Sequence, residues 1–422
     1  MYISLRDRPE GGPVTSSVRP KVAPLVITLG FVSLLTDVSS ESVSAILPIY
    51  LTSVAGLSMV AYGFVDGLYQ GISAVVRIGS GMASDRSDHP KWVAVVGYGL
   101  SCVSRVFLPF AGGLAAITGV VTADRIGKGV RTAPRDAMIA AVTPTESLGR
   151  AFGVHRTLDT VGAAIGPLLA FLILWANPSG YTTVMVASLA AAVMGVALLV
   201  LFVPDLRPRA RAAEAGEPGE EDPPTSRLRW RDIADPRLTR MLVVIGVLGL
   251  LTVGDGFIYL ALLERGDFAT YLFPLMYVGT NLAYLALAIP IGRLADKVGR
   301  ARVLVLGHLV LLAAYACAAV PFGGSVTTIG ALIALGAFYA ATDGVTAAVA
   351  GRLVPTSVRA SGIASAQTVV AVARLLASTL FGVLWFVIGP GSSLLLVGGL
   401  LLVAIPVALP VMVRLDRVAE RE

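Results

Sequence analysis

The sequence predicts an all-α membrane protein with twelve transmembrane helices in two pseudo-symmetric six-helix bundles and with both termini in the cytoplasm. Three observations predict this fold class: the composition, the distribution of basic residues and an internal repeat. Of the 422 residues, 55% are hydrophobic and 14% are charged, and the mean hydropathy is +0.79. Because soluble domains average roughly 25% charged residues, this composition indicates a protein that crosses a membrane several times.

Apolar runs of suitable length define the individual spans. A helix needs ~20 apolar residues to cross the hydrocarbon core of a bilayer. Runs of about this length lie at 24–52, 58–80, 93–112, 114–134, 152–175, 181–203, 240–262, 270–292, 303–321, 327–350, 361–387 and 393–413.

Basic residues set the orientation of these spans. With both termini placed inside, all but five of the 33 Lys and Arg residues lie in predicted cytoplasmic tails, loops and helix ends. This is the positive-inside pattern, and it explains the net charge of +6 without a nucleic-acid partner. The five exceptions are Arg265 in an external loop and Arg77, Arg105, Arg125 and Arg374 within spans.

The two halves of the chain resemble each other. GFVSLLT at 30–36 recurs as GVLGLLT at 246–252, GMASDR at 81–86 recurs as GRLADK at 292–297, and AVTPTE at 141–146 is matched by RLVPTS at 352–357. Similar offsets at three landmarks indicate an internal duplication. The predicted organisation is a cytoplasmic tail (1–23), a first bundle (24–204), a disordered cytoplasmic linker (205–238), a second bundle (239–413) and a C-terminal tail (414–422).

The N-terminus and the cysteines carry little functional signal. The first apolar run is too long for a cleavable signal peptide, and it contains two acids and no small-residue cleavage pattern. Cys102 and Cys317 lie in opposite halves and are interpreted as small core residues rather than as a disulfide or a metal site.

Loop motifs connect this architecture to a known family. Twelve spans, a cytoplasmic linker and duplicated halves resemble the major facilitator superfamily over nearly the whole chain. The loop signature of that superfamily, G-x-x-x-D-[RK]-x-G-[RK]-[RK], is matched in the second half by Gly292, Asp296, Lys297, Gly299 and Arg300. The first half keeps Gly81, Asp85 and Arg86 and then departs, with Asp88 and His89 where Gly and a base are usual. The resemblance implies that these loops act as conformational gates; the alternative is a solvated charged turn.

Two further helix motifs indicate a subtype. DRIGKGVRTAP is similar to the proton-linked motif R-x-x-x-G-x-x-x-A through Arg125, Gly129 and Ala133, which implies that Arg125 couples to proton movement; Lys128 and Arg131 stand where Gln and Gly are common. The fifth helix resembles the antiporter signature of exporters through Gly153, Gly162, Gly166 and Pro167, although Ala170 and Phe171 replace its last glycines. An ordinary glycine-rich packing face is the alternative. The combination of TDVSSE with RIGKGVRTAPRDA also resembles a bacterial branch related to nickel-resistance exporters and, more remotely, to ferroportin-like metal exporters.

Two acids stand out within the first span. Asp37 and Glu41 are spaced i and i+4, so they share one helix face with Ser40 and Ser44 nearby. A polar face inside a span should look into the bundle. Because two close carboxylates in a low-dielectric site cannot both stay ionised, at least one is expected to load and release a proton. Candidate partners in the same half are Arg105, Arg125, Arg156, Asp66, Asp124 and Asp159.

The second half carries fewer intramembrane charges, namely Asp255, Asp343 and Arg374. The proton chemistry is therefore predicted mainly in the first half. Structural ion pairing is the alternative for Asp124 with Arg125 and for Arg156 with Asp159. Substrate contacts from the second half are expected from Tyr259, Tyr277, Asn281, Tyr284, Tyr339 and Gln367.

The functional prediction is a secondary transporter of the bacterial cytoplasmic membrane that acts as a monomer, a proton-coupled antiporter exporting a small organic compound, with the proton as coupling ion and no cofactor. A divalent metal exporter using Asp37 and Glu41 and a proton-coupled uptake symporter are the alternatives within the same class. A membrane sensor on a transporter fold is the alternative from another class. An enzyme is not expected, because the sequence shows no cluster of a nucleophile with a base.

Overall fold

The computed structural model describes residues 22–86, 89–206, 235–266, 268–320, 324–354 and 359–419. Within these ranges the chain is helical and forms no strand. The helices are α1 (Pro24–Ile49, continued by a π-helical turn at Tyr50–Val54), α2 (Met59–Arg86), α3 (Pro90–Phe107), α4 (Gly113–Ala141), α5 (Leu148–Ala176), α6 (Tyr181–Phe202), α7 (Pro236–Leu250), α8 (Asp255–Gly266), α9 (Phe273–Val298), α10 (Arg300–Ala319), α11 (Ser325–Thr342), α12 (Val345–Arg352), α13 (Arg359–Ile388) and α14 (Pro390–Ala419).

Eleven segments of the described chain are long and apolar enough to cross a membrane. The predicted all-α membrane fold is thereby confirmed. The helix α4 has 29 residues, which is ample length, but its middle carries Asp124, Arg125, Lys128 and Arg131, so composition alone does not mark it as a span. The count of twelve spans and the cytoplasmic position of the termini stay predictions. Most of the predicted linker, 207–234, lies outside the described residues, as do residues 1–21 and 420–422.

Two predicted continuous spans are broken. The seventh consists of α7 and α8, separated by residues 251–254, and the tenth consists of α11 and α12, separated by Asp343 and Gly344. The repeat offsets map these two breaks onto positions within α1 and α4 in the first half, and both of those helices are unbroken there. The first break is stabilised by Tyr315, whose hydroxyl accepts a hydrogen bond from Val253 N at 2.7 Å and donates one to Leu251 O at 2.9 Å. At the second break Gly344 has a φ of 79°, which favours glycine.

One end of the bundle gathers the basic residues. A buried cluster joins the start of α1, α3 and α5 to the end of α4 and α6, through Leu29, Ala94, Ala151, Met138 and Leu199. We call this end the basic end, because among the described residues it carries Lys91, Arg150, Arg156, Arg240, Arg293, Arg300, Arg302 and Arg352, whereas Arg265 lies at the opposite end.

The two halves are in close contact toward the opposite end. There α2 packs against α13 through glycines. A Cβ added at Gly63 would lie 2.5 Å from Ser378 O, and one added at Gly382 would lie 2.4 Å from Met59 O. Glycines allow helix backbones to approach this closely in a membrane. An aromatic cluster fills the adjacent space, with ring centroids 4.7 Å apart for Tyr62 and Phe257 and 4.9 Å apart for Phe257 and Phe381.

Candidate functional site

A cavity of about 880 Å³ lies between the two halves on the side of the basic end. The Arg156 side chain in its wall is 77% exposed, so solvent reaches the cavity from that end. Both halves contribute charged or amide groups to the lining, which are Gln70, Arg135, Asp136, His155, Arg156, His308, Asp343, Gln367 and Arg374.

Asp37 lies at the middle of α1 in a buried group of charges. Its Oδ1 is 3.8 Å from Nη2 of Arg131 on α4. Its carboxyl group and that of Asp159 on α5 are close enough for their charges to act on each other. Two adjacent carboxyl groups are most stable when one of them carries a proton. Arg131 stacks over the Tyr98 ring at 4.6 Å, and its Nη1 is buried without a hydrogen-bond partner in the described chain.

Glu41 has a different partner from Asp37. Its Oε1 lies 3.7 Å from Nζ of Lys128, and both side chains are about one-third exposed. The two acids predicted as a pair are thus each placed beside a cation of α4. The two acids therefore belong to separate ion pairs rather than to one shared site.

A buried bridge of three charges lies next to this group. Asp124 accepts a hydrogen bond from Arg105 Nη1 at 2.8 Å and another from Arg125 Nη2 at 2.7 Å. Arg105 also donates to the Ser40 hydroxyl at 2.9 Å, and Arg125 stacks over the Tyr69 ring at 3.6 Å. Arg125 is therefore bound to Asp124, and the arginine that faces Asp37 is Arg131.

Between this group and the cavity lie Asp159 and Arg135. Asp159 accepts a hydrogen bond from Arg156 Nη1 at 3.1 Å and lies 3.9 Å from Arg135 Nη1. Arg135 lines the cavity and donates to Asp136 at 2.9 Å. Asp159 therefore lies between Asp37 and side chains that solvent can reach.

The glycines of α5 place α1 next to these charges. A Cβ added at Gly162 would lie 2.4 Å from Leu34 O, and one added at Gly166 would lie 2.8 Å from Ser42 N. The two helices thus touch along the stretch that contains Asp37 and Glu41. A Cβ added at Gly153 would have no atom within 4 Å, and Gly153 lines the cavity. Pro167 lies within α5.

The second half contributes Arg374 and Asp343 to the cavity. Asp343 lies at the break between α11 and α12. Neither residue has an ion pair shorter than 4 Å within the described chain, although each lies in the electrostatic field of the other. Arg374 approaches the Tyr339 ring at 5.9 Å. Both side chains are thus available to a molecule in the cavity.

The remaining predicted intramembrane acids meet between the halves. Asp66 on α2 accepts a hydrogen bond from the Ser378 hydroxyl on α13 at 2.7 Å. Asp255 begins α8 and accepts a hydrogen bond from the Tyr339 hydroxyl at 2.6 Å. The Tyr259 hydroxyl donates to Thr280 at 2.7 Å. Of the predicted substrate contacts, Tyr284 and Gln367 line the cavity, whereas Asn281, Tyr259, Tyr277 and Tyr339 are not among its lining residues.

The predicted gating loop of the second half is a tight turn between α9 and α10. Gly299 has a φ of 108°, and Arg300 donates to Asp296 within the same loop at 2.8 Å. Gly292 is buried on α9, and Lys297 lies in its last turn. In the first half the backbone of Gly81, Asp85 and Arg86 belongs to α2, and their side chains lie outside the described part of the chain, as does Asp88.

Four residues that the structure brings to the site were not among the predicted site residues. Lys128, Arg131 and Arg135 follow Arg125 at intervals of three and four residues, so they share a face of α4. This periodicity is visible in the sequence and could have identified them. His155, whose Nε2 lies 3.1 Å from the Ser33 hydroxyl, shows no comparable signal.

Comparison with known proteins places the chain among transporters. The sequence model of the Major Facilitator Superfamily matches residues 29–280 and 268–422. An uncharacterized MFS-type transporter of Methanocaldococcus jannaschii is 31% identical over 399 residues, which cover 90% of this chain and 94% of that protein.

Solved structures of low sequence identity share the fold. The nucleoside transporter NupG superposes with a TM-score of 0.77 at 13% identity, covering 92% of this chain and 99% of that one. A peptide transporter POT variant in complex with alafosfalin gives a TM-score of 0.75 at 15% identity, covering 93% and 95%. At these identities the likeness establishes the architecture.

Proposed function

The chain belongs to the major facilitator superfamily, and on this premise we propose that it is a secondary transporter that works by alternating access, as a proton-coupled antiporter exporting a small organic compound. The observation that carries the proposal is the placement of Asp37 and Asp159 beside Arg131, next to a cavity shared by both halves. Arg135 and Arg156 line that cavity and lie within 4 Å of Asp159, so the proposed proton site and a solute in the cavity would share these two arginines.

The proton site acts through charge compensation. When Asp37 and Asp159 share a proton, they carry one negative charge between them; when the proton leaves, they carry two. Arg131, Arg135 and Arg156 all lie within 4 Å of one of these acids and can stabilise the second charge. In an antiporter, substrate binding and proton binding exclude each other, and substrate contact with Arg135 or Arg156 would weaken their hold on the acids and favour proton uptake.

The direction of transport rests on two features. The cavity is on the side of the basic end, which the positive-inside rule assigns to the cytoplasm, so the conformation is one in which an exporter loads its substrate. Any alternating-access transporter passes through such a conformation, however. The preference for export over a proton-coupled uptake symporter therefore rests on the antiporter-like glycines Gly153, Gly162 and Gly166 in α5.

The geometry favours an organic substrate over a metal ion. Asp37 and Glu41 each have a side-chain cation within 4 Å, and this positive charge opposes a divalent ion between them. Within the described ranges, no group of three or more His, Cys, Asp or Glu side chains could hold a metal. The cavity wall, by contrast, combines amides, hydroxyls and charges with apolar side chains such as Leu248 and Phe338, as small-molecule sites do. A sensor function would need the same cavity without net transport.

Transport in proteoliposomes with an imposed pH gradient tests the proposal. Dyes, drugs and divalent ions are screened against the wild-type protein, the double variant Asp37→Asn with Glu41→Gln, and the control Glu264→Gln, whose side chain is exposed at the opposite end. We expect gradient-driven movement of an organic compound by the wild type and the control and none by the double variant. Movement that survives in the double variant would rule out the proton site, and metal binding lost only in that variant would establish the metal exporter instead.

A further inference from the structure

Two partly buried acids from opposite halves, Asp66 and Asp255, lie close together at the break between α7 and α8. A Cβ added at Gly254 would lie 2.7 Å from Asp66 Oδ2, so the broken segment touches the Asp66 carboxyl group. Asp255 is the residue that follows Gly254 and begins α8, so it lies close to Asp66 at this contact. Asp66 also accepts a hydrogen bond from Ser378 of the second half at 2.7 Å. Asp66 is thus bound on two sides by the half to which it does not belong.

This site lies at the inner edge of the contact that closes the opposite end. On α2, Asp66 lies between Gly63 and Gly67, and an added Cβ at either glycine would lie within 2.6 Å of a backbone oxygen of α13. On the same helix, Gln70 lies one turn from Asp66 and lines the cavity. Asp66 is therefore one helical turn from the cavity on the basic-end side, and the closed contact separates it from the opposite end.

The charges around Asp66 and Asp255 do not balance when all the acids are ionised. In the described chain, the Arg374 guanidinium is the cation that interacts with both of these carboxyl groups. Asp343 is a third acid that interacts with Arg374. Asp66 and Asp255 against one guanidinium leave an excess negative charge at the inner edge of the closed contact, even before Asp343 is counted. Such a cluster is costly unless it binds cations, and a proton needs no additional ligands.

We propose that Asp66 and Asp255 form a second proton-binding pair, which joins the two halves and holds the opposite end closed. With a proton on the pair, one acid can donate a hydrogen bond and the charges of the two halves do not repel each other. Without it, two carboxylates from opposite halves face each other across the contact. Their repulsion favours separation of α2 from α13 and opening of the opposite end.

Loss of the proton from the pair is thus coupled to opening of the opposite end, and this direction suits a transporter that exchanges protons for substrate. Loss of the proton through Gln70 to the cavity would favour the conformation open at the other end, where a proton can rebind. The inference requires only that the halves rock, and it does not depend on the role of Asp37. The other charged or titratable groups that face the pair from the packed helices are Tyr62, Tyr259, Tyr277, Tyr315, Tyr339, Asp343 and Arg374.

Distance measurements between spin labels test the inference on the full chain. The natural Cys102 and Cys317 are replaced by Ser, and labels are attached at Ser53→Cys and Ser392→Cys, two exposed positions of opposite halves at the opposite end. Electron paramagnetic resonance then gives the distance distribution from acidic to alkaline buffer. We expect the long-distance population to grow as the pH rises. A distribution that is the same at every pH would overturn the proposal.

Variants assign the titration to the pair. In the double variant Asp66→Asn with Asp255→Asn, whose amides mimic the protonated acids, the short distance should persist at every pH. Ser378→Ala keeps both acids and removes the bond between the halves, so the long-distance population should rise at every pH. Asp37→Asn alters the other proposed proton site and keeps this pair, so its long-distance population should still grow as the pH rises, whatever the midpoint. A wild-type titration in the double variant, an unchanged population in Ser378→Ala, or a titration abolished by Asp37→Asn would each contradict the inference, the last by assigning the proton to the other site.

Discussion

The Asp37 carboxylate on α1 lies 3.8 Å from the Arg131 guanidinium on α4. This contact joins an acid that the sequence singles out to a base that stands where the helix-four motif of the superfamily commonly has Gly. Arg125, the arginine that matches the motif, is held by Asp124 instead. The arginine beside Asp37 thus lies nearly two turns further along α4 than the arginine that matches the motif.

Replacing Arg131 should impair proton coupling. We expect Arg131→Gln to lower gradient-driven transport by about tenfold or more, which corresponds to ~1.4 kcal/mol, because the second negative charge on Asp37 and Asp159 loses a compensating cation. Arg131→Lys should recover part of the rate. Transport rates in proteoliposomes at several pH values measure the effect, and equal rates for wild type and Arg131→Gln would show that Arg131 has only a packing role.

The bridge formed by Arg105, Asp124 and Arg125 should be important for stability. Asp124→Ala leaves two buried guanidinium groups without their carboxylate, and breaking a buried ion pair in this way costs about 3–5 kcal/mol. The matched control is Asp296→Ala, which breaks an exposed pair with Arg300 and should cost about 0–1 kcal/mol. The apparent melting temperature in detergent should therefore fall by clearly more for Asp124→Ala, and equal shifts would contradict the prediction.

Glycines of α5 should differ sharply in their tolerance of a methyl group. Gly162→Ala introduces a Cβ 2.4 Å from Leu34 O, so α1 and α5 must separate. Gly153→Ala meets no atom within 4 Å and should be neutral or stabilising by up to about 1 kcal/mol, since Ala is the better helix former. Melting temperatures of the two variants are compared with that of the wild type. A stable Gly162→Ala would mean that the helix contact is looser than described.

Arg374 should contribute to substrate binding. It faces the cavity, and in the described chain it has no ion pair shorter than 4 Å. We expect Arg374→Gln to raise KM for the transported compound by about tenfold, the loss of one charge-assisted contact of ~1.5 kcal/mol, with a smaller change for Arg374→Lys. Initial rates over a range of substrate concentrations measure KM. An effect on kcat alone would place Arg374 in the conformational change rather than in binding.

Most helices could be predicted from the sequence because hydropathy and charge are properties of short stretches. The runs at 24–52 and 181–203 correspond to α1 with its π-helical turn and to α6, and the position of Asp37 in the middle of a helix is as expected. The breaks at residues 251–254 and at Asp343 were not predicted. Their apolar flanks look like one continuous span, and the groups that stabilise a break, such as Tyr315, come from another helix.

The sequence indicates candidate members of the site better than it indicates their pairings. Asp37, Glu41, Arg105, Asp343 and Arg374 are polar side chains in apolar surroundings, which any reading of the sequence detects. Which acid faces which base depends on the packing of α1 against α4 and α5, and nothing in the local sequence states that packing. The Ser378 hydroxyl, 312 positions from Asp66, gave no signal at all.

The amino-acid sequence by itself determined the membrane class, most of the helical spans and the family, because apolar runs, charge distribution and family motifs are written along the chain. Only the tertiary structure decided that Asp37 faces Arg131 and Asp159, that Asp66 is bound by the opposite half, and that the cavity lies on the side of the basic end. The physical reason is that electrostatic and hydrogen-bond energies depend on distances of a few ångströms between residues far apart in sequence, and those distances exist only after the helices have packed.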